Sequence, residues 1–233
     1  MRRPLAVAVT TALALALLTG CLTTQTRTEA DPLAPGEQSR LDEPGRNRAE
    51  ALGHLRLDLS DLCLTVEETG YDDSLPGIMW FGDEDSDMRL ELIGPNGTLE
   101  STTRSVKVKA DTNNRIRMIE WFVSEDTGAE SRARLEADAE MLGLSADDLE
   151  LWDLSVQGVR SGENESHLWV IGLGVSPTGF VMDIQGNYNE RTDNETYIYA
   201  IYLEPRYNTP EVKATWGIWG SPRVVQDDDA WTC

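Results

Sequence analysis

The sequence is poor in the residues that metal and nucleophile chemistry most often uses. It holds two histidines, His54 and His167, too few for a histidine-rich metal centre. Its three cysteines, Cys21, Cys63 and Cys233, stand far apart, and no CxxC or Cys/His spacing points to zinc. Basic residues number 20 against 41 acidic ones, and no Lys/Arg-rich run occurs. A formal charge of −21 repels phosphates and argues against nucleic acid as a partner. There is no G-x-S-x-G elbow, no Gly-rich phosphate loop, and Ser105 lacks a lysine three positions on. The longest apolar run, Leu5–Leu18, falls short of the about 20 residues that a spanning helix needs.

What that run does fit is an export signal. Arg2 and Arg3 precede it, and Leu18-Thr19-Gly20-Cys21 follows it. These residues resemble the lipobox of bacterial lipoproteins. The resemblance implies cleavage before Cys21, a diacylglyceryl thioether on its sulfur, and an acyl chain such as palmitate on the new amino group. It carries a location and no activity: a cell membrane, with the protein lipid-anchored and facing outside the cytoplasm. Each buried CH₂ of such chains contributes roughly 0.8 kcal/mol, so two or three chains hold firmly.

Removing residues 1–20 takes away Arg2 and Arg3 but no acid, which leaves 41 acidic and 18 basic side chains and a formal charge of −23. Anionic headgroups would repel such a domain, so it is expected to stand off the membrane. Residues 21–48 are rich in Thr, Pro, Gly, Glu and Arg without apolar periodicity, and read as a lipidated cysteine followed by a disordered tether. Residues 49–233 suit one sizeable domain.

The expected fold class is α+β, mainly antiparallel sheet with one or two packed helices. Helical and alternating signals mix in 49–59. "GIMWFG" (77–82), "MRLELIG" (88–94), "SVKVKA" (105–110) and "RIRMIEWFV" (115–123) read as strands, with a hairpin turn at Pro95-Asn96-Gly97. Thr127 and Glu130 form a capping-box pattern for a helix that puts Leu135, Ala139 and Leu142 on one face and stops at Gly143. Four more strands are expected at 149–159, 167–175, 179–188 and 195–205. The layout suggests a tandem α-β4 repeat with halves 49–125 and 126–233. "LIGPNGTL" aligns with "GVSPTGFV" at an offset of 82, and the turns before "RIRMIEWF" and "ETYIYAIYL" align at 80.

Candidate sites are few. Asp83, Asp85 and Asp87 alternate as calcium loops do, yet Met88 and Gly94 stand where such a loop needs Gly and Glu. Calcium is therefore the sole cofactor candidate, with none as the base expectation. Seven tryptophans occur; Trp80, Trp121, Trp152 and Trp169 lie in apolar runs that suggest core packing. Trp216, Trp219 and Trp231 cluster among glycines near the C-terminus and read as a ligand-binding patch. Cys63 and Cys233 are expected to pair as a disulfide, since an exported chain offers them no other mate. The sequence thus points to a lipoprotein with a non-catalytic binding or interaction domain. Its partners would be the membrane, through Cys21, and an envelope protein or glycan. The alternative is a tethered envelope hydrolase using carboxylates.

One peptide map of membrane-bound protein checks both covalent expectations. The N-terminal peptide should begin at Cys21 and carry a lipid mass, and the non-reduced digest should link Cys63 to Cys233. An unmodified Cys21, or free thiols at 63 and 233, would count against the respective expectation.

Overall fold

The computed structural model describes residues 32–62, 64, 66–70, 77–82, 86–110, 115–162 and 168–215. They form two sheets over one hydrophobic core, an α+β fold. Helix α1 (Glu43–Leu52) starts on Asp42, whose carboxylate accepts the Gly45 amide, and ends at Gly53 in the left-handed conformation. Strand β1 (His54–Asp58) follows at once, so the mixed signal over 49–59 is a helix end and a strand in succession. The fold also takes in residues 37–48, assigned above to the tether. Leu41 is fully buried, and Ser39 donates its amide to the Arg56 carbonyl at 2.8 Å.

A short helix, α2 (Val66–Thr69), leads towards β2 (Ile78–Phe81). Strands β3 (Met88–Gly94) and β4 (Gly97–Thr103) make the hairpin expected at Pro95-Asn96-Gly97. β1 joins β3 in parallel, giving a three-stranded sheet of order β1-β3-β4. Leu55, Leu57, Leu90, Leu92 and Leu99 point from it into the core. β4 escapes the apolar pattern because Thr, Ser and Glu occupy most of it, and only alternate positions are buried.

The larger sheet adds β5 (Ser105–Ala110), β6 (Ile116–Val123), β7 (Leu168–Val175), β8 (Val181–Asn189) and β9 (Asn194–Tyr202). Its order is β2-β5-β6-β9-β8-β7, antiparallel throughout. Helix α3 (Gly128–Leu142) has the expected capping box of Thr127 and Glu130 and the Gly143 cap. It packs along β9. Leu135 and Leu142 are buried and Ala139 is half-buried.

The strand expected at 149–159 is instead part of helix α4 (Ala146–Arg160). Ser145 and Asp148 form a second capping box, and Trp152, Val156 and Val159 fall on its buried side at helical spacing. The two halves therefore differ in element order. The first inserts the β3-β4 hairpin into the smaller sheet, whereas the second, among the described residues, opens with two helices, continues with three strands and adds a short helix at Pro210–Thr215. The 80-residue offset still has a structural counterpart, because Glu120 and Ala200 face each other in the β6-β9 ladder. From that pair the larger sheet runs outward through β5 and β2 on one side and β8 and β7 on the other. The 82-residue offset relates hairpins with different partners, although their tips touch: the Asn96 amide donates to the Thr178 carbonyl at 3.0 Å.

The α3/α4 side of the larger sheet is closely filled. Trp121 and Tyr199 meet edge-on at 5.4 Å between centroids, and Trp152 and Tyr197 at 6.0 Å. The Trp152 ring lies against Gly186, where an added Cβ would approach it to 2.6 Å. No helix among the described residues is long and apolar enough to cross a membrane. Gly186→Ala should lower stability by about 1–3 kcal/mol by overpacking Trp152. A urea titration should show a lower midpoint at unchanged m; an unaltered midpoint would contradict this packing.

Candidate binding site

The opposite face of the larger sheet carries the densest polar constellation among its strands. One register row crosses five of them: Trp80 faces Lys107, Lys107 faces Glu120, Glu120 faces Ala200, and Ala200 faces Asp183. The alternation of "SVKVKA" places Lys107 and Lys109 on this side while Val106 and Val108 enter the core. Lys107 Nζ lies 3.1 Å from Glu120 Oε2, and Lys109 contacts the other oxygen of the same carboxylate. These side chains are only 14–20 % exposed.

Trp80 is 48 % exposed, which corrects its assignment to the core. Its ring stacks on Phe122 at 5.6 Å and 23°, with Lys107 Nζ 5.2 Å from the Trp80 centroid. Gly82 allows β2 to end tightly against the start of β5. Its φ is +88°, and a Cβ there would collide with the Arg104 carbonyl oxygen.

Across Ala200, Asp183 accepts from the Tyr202 hydroxyl at 2.7 Å and from the Gln185 amide at 3.3 Å. Its Oδ1 is buried without a hydrogen-bond partner. Burial raises the Asp183 pKa above 3.8, a shift its Tyr202 and Gln185 hydrogen bonds partly offset and the nearby Glu120 charge reinforces. Two strand spacings separate Glu120 from Asp183, roughly 10 Å between Cα atoms.

Beside Phe122 a cleft of about 450 Å³ opens where β4 turns into β5. Arg104, Ser105, Ser124, Glu125 and Arg134 line it. That volume lies within the range of small-molecule sites. Arg134 is fixed by Asp138 at 2.8 Å and by the Thr102 carbonyl at 3.4 Å. Arg104 is half exposed and has one ion pair, to Asp87 at 3.5 Å. The cleft wall is held by the Thr103 hydroxyl, whose one O–H lies within reach of the Phe122 carbonyl (2.7 Å) and the Ser105 carbonyl (2.9 Å) and whose oxygen accepts from the Ser105 amide.

A second cavity, about 420 Å³, lies between α3 and α4. Its guanidinium groups are committed to acids, Arg132 to Asp153 through two bonds and Arg160 to Asp193 at 2.8 Å. On that side Glu195 is buried, accepting from Trp152 Nε1 at 2.9 Å and the Tyr197 hydroxyl at 2.5 Å. This network ties α4 to β9.

Of the residues singled out from sequence, Asp87 is described and engages Arg104. Cys21, Cys63, Asp83, Asp85, His167, Trp216, Trp219, Trp231 and Cys233 lie outside the described residues. His54 sits on the smaller sheet with Nε2 3.2 Å from Glu91, which also pairs with Arg56 at 3.3 Å. Among the described residues no group of three or more His, Cys, Asp or Glu is placed to hold a metal ion. Sequence reasoning missed Trp80, Lys107, Lys109, Glu120 and Asp183. Signals for them existed: two lysines at strand spacing, and one aspartate inside the apolar run "VMDI". Comparison of the chain with protein-family models, with curated proteins and with solved structures finds no match.

The raised Asp183 pKa has a definite sign. The folded state holds this proton more tightly than the unfolded chain, so stability falls as pH rises above about 3.8 through the folded value. Asp183→Asn keeps an acceptor for Tyr202 and removes the charge. Denaturation at pH 3.5 and pH 7 should show the variant gaining on the wild type at pH 7 only; an equal difference at both pH values would refute the assignment.

Proposed function

We propose that this protein is a lipid-anchored, extracytoplasmic lipoprotein whose domain binds an envelope ligand without transforming it. The location is an expectation from the Leu18–Cys21 motif. The binding reading is supported by one observation: an exposed Trp80, stacked on the half-buried Phe122 that lines a ligand-sized cleft, stands near a half-exposed Arg104 paired with Asp87. An aromatic side chain left half in water beside such a cleft is a recognition element more readily than a packing one.

A Cys63–Cys233 disulfide belongs to the same reading. Leu64 accepts from the Ile116 amide, and Leu203, just past β9, donates to the Arg117 carbonyl. The chain beside Cys63 and the start of the C-terminal segment thus share one end of the larger sheet. Trp216, Trp219 and Trp231 remain proposed as a second recognition patch, carried by composition alone.

One observation favours the hydrolase alternative, the asymmetry of two acids on one face. Glu120 pairs with two lysines, while burial favours the proton on Asp183. Its weakness is access, because Asp183 is only 7 % exposed.

Co-sedimentation with purified cell-wall sacculi separates these readings. The wild-type protein should pellet with the wall and release no reducing ends. Replacing Trp80 and Arg104 with Ala should reduce the bound fraction at least fivefold, and Asp183→Asn should leave it unchanged. Wall binding untouched by the Trp80/Arg104 replacement would remove the cleft from the reading. Sugar release abolished by Asp183→Asn would establish hydrolysis instead.

A further inference from the structure

The open sheet face has a charge imbalance that sets it apart from the rest of this acidic chain. Lys107 and Lys109 share a single carboxylate, that of Glu120. Lys107 Nζ has three donors and directs one at Glu120; Lys109 adds only a long contact to Met118 Sδ at 3.4 Å. Within ion-pair distance one positive charge is therefore left over, at side chains 17–20 % exposed where water competes poorly for it, and Asp183 feels Lys109 only at longer range. The nearest further acid on the row, Asp183, is buried and accepts its bonds from Tyr202 and Gln185. This excess sits beside Trp80, two residues along β5 from Ser105 of the cleft, in a protein with about twice as many acids as bases.

We infer that the face formed by Trp80, Phe122, Lys107 and Lys109, continuous with the Arg104 cleft, is a subsite for an anionic pyranose ring, such as a uronic acid unit of an acidic polysaccharide. The inference rests on the binding reading above and names its ligand class. Each part of the site matches a part of that ligand. The exposed indole offers a broad rigid surface for the C–H face of a sugar. The spare lysine donors suit a carboxylate, where charge-assisted bonds are strongest. The cleft rim alternates donors and acceptors, Arg104 and Arg134 against Asp87 and Glu125, with the hydroxyls of Ser105 and Ser124 able to do both. Vicinal sugar hydroxyls need that alternation. A flat aromatic anion would leave it unused, and a bare inorganic anion would ignore the indole.

The test uses the full chain in detergent micelles and three probes: tetragalacturonate, cellotetraose and inorganic phosphate. Calorimetry and tryptophan fluorescence read the binding. Tetragalacturonate should bind at least tenfold more tightly than uncharged cellotetraose and should perturb the tryptophan emission. Trp80→Ala should weaken it at least tenfold. Lys107→Gln should bring the two oligosaccharides to similar affinity, and Glu120→Gln, which frees both lysines, should tighten tetragalacturonate. Circular dichroism and the melting midpoint establish that each variant is folded. Equal affinity of wild-type protein for both oligosaccharides overturns the charge assignment while the ligand-binding reading stands. Phosphate binding as tightly as tetragalacturonate, with no effect of Trp80→Ala, overturns the sugar assignment in favour of a simple anion site. Absence of binding by either oligosaccharide overturns the subsite, and wall co-sedimentation then decides the broader reading separately.

Discussion

The pairing of β6 with β9 is the contact on which the rest of this fold depends. It joins two three-stranded antiparallel units, β2-β5-β6 and β9-β8-β7, into one sheet. Its register sets Trp121 opposite Tyr199 on the core side and Glu120 opposite Ala200 on the other. A one-residue slip would send Tyr197, Tyr199 and Ile201, all fully buried, to the open face. It would also break the Trp152–Glu195–Tyr197 network and the alignment of Lys107, Glu120 and Asp183. Core and site are two faces of one ladder.

Those faces differ in how they are completed. On the core side, aromatic side chains interlock with α3 and α4, and the buried Glu195 accepts from both Trp152 and Tyr197 through one oxygen. On the open side charge replaces shape. Two lysines converge on Glu120, and an aspartate lies buried with one oxygen unmatched. Burying such groups costs free energy that apolar residues of equal volume would not. Their cost is intelligible if the face is there to recognise something.

Much of this architecture is legible in the residues. The capping box at Thr127 and Glu130 marks α3 because its two reciprocal bonds are local and need no tertiary context. The alternating strands β3, β5 and β6 announce themselves because each buries one face. Where structure departs from expectation, tertiary contacts chose between local options. "LELWDLSVQGV" has β-branched and aromatic residues that suit a strand, yet Ser145 and Asp148 cap it and Trp152, Val156 and Val159 satisfy a helical stripe. "GIMWFG" looks uniformly buried, but β2 is an edge strand with one face open, and Trp80 falls on that face. The row from Trp80 to Asp183 gathers residues from 80 to 200 in the chain. No sequence spacing could display it before the order β2-β5-β6-β9-β8 was known.

The segment ahead of α1 also has a mechanical meaning. Residues 38–40 run beside β1, the free edge of the smaller sheet. Ser39 exchanges two bonds with Arg56, and Gln38 Oε1 accepts the Asp58 amide at 3.2 Å. Two residues on, the Leu41 amide reaches the Thr69 carbonyl at 2.7 Å and its side chain is sealed in the core. Tension applied from the N-terminal side therefore loads the Glu37–Arg48 pair to α1 and then these few bonds, before either sheet bears it. Bonds strung along an edge share a lengthwise pull but yield one by one to a perpendicular peel. How hard the domain can be tugged before Leu41 leaves the core thus depends on the direction of the pull as well as its size.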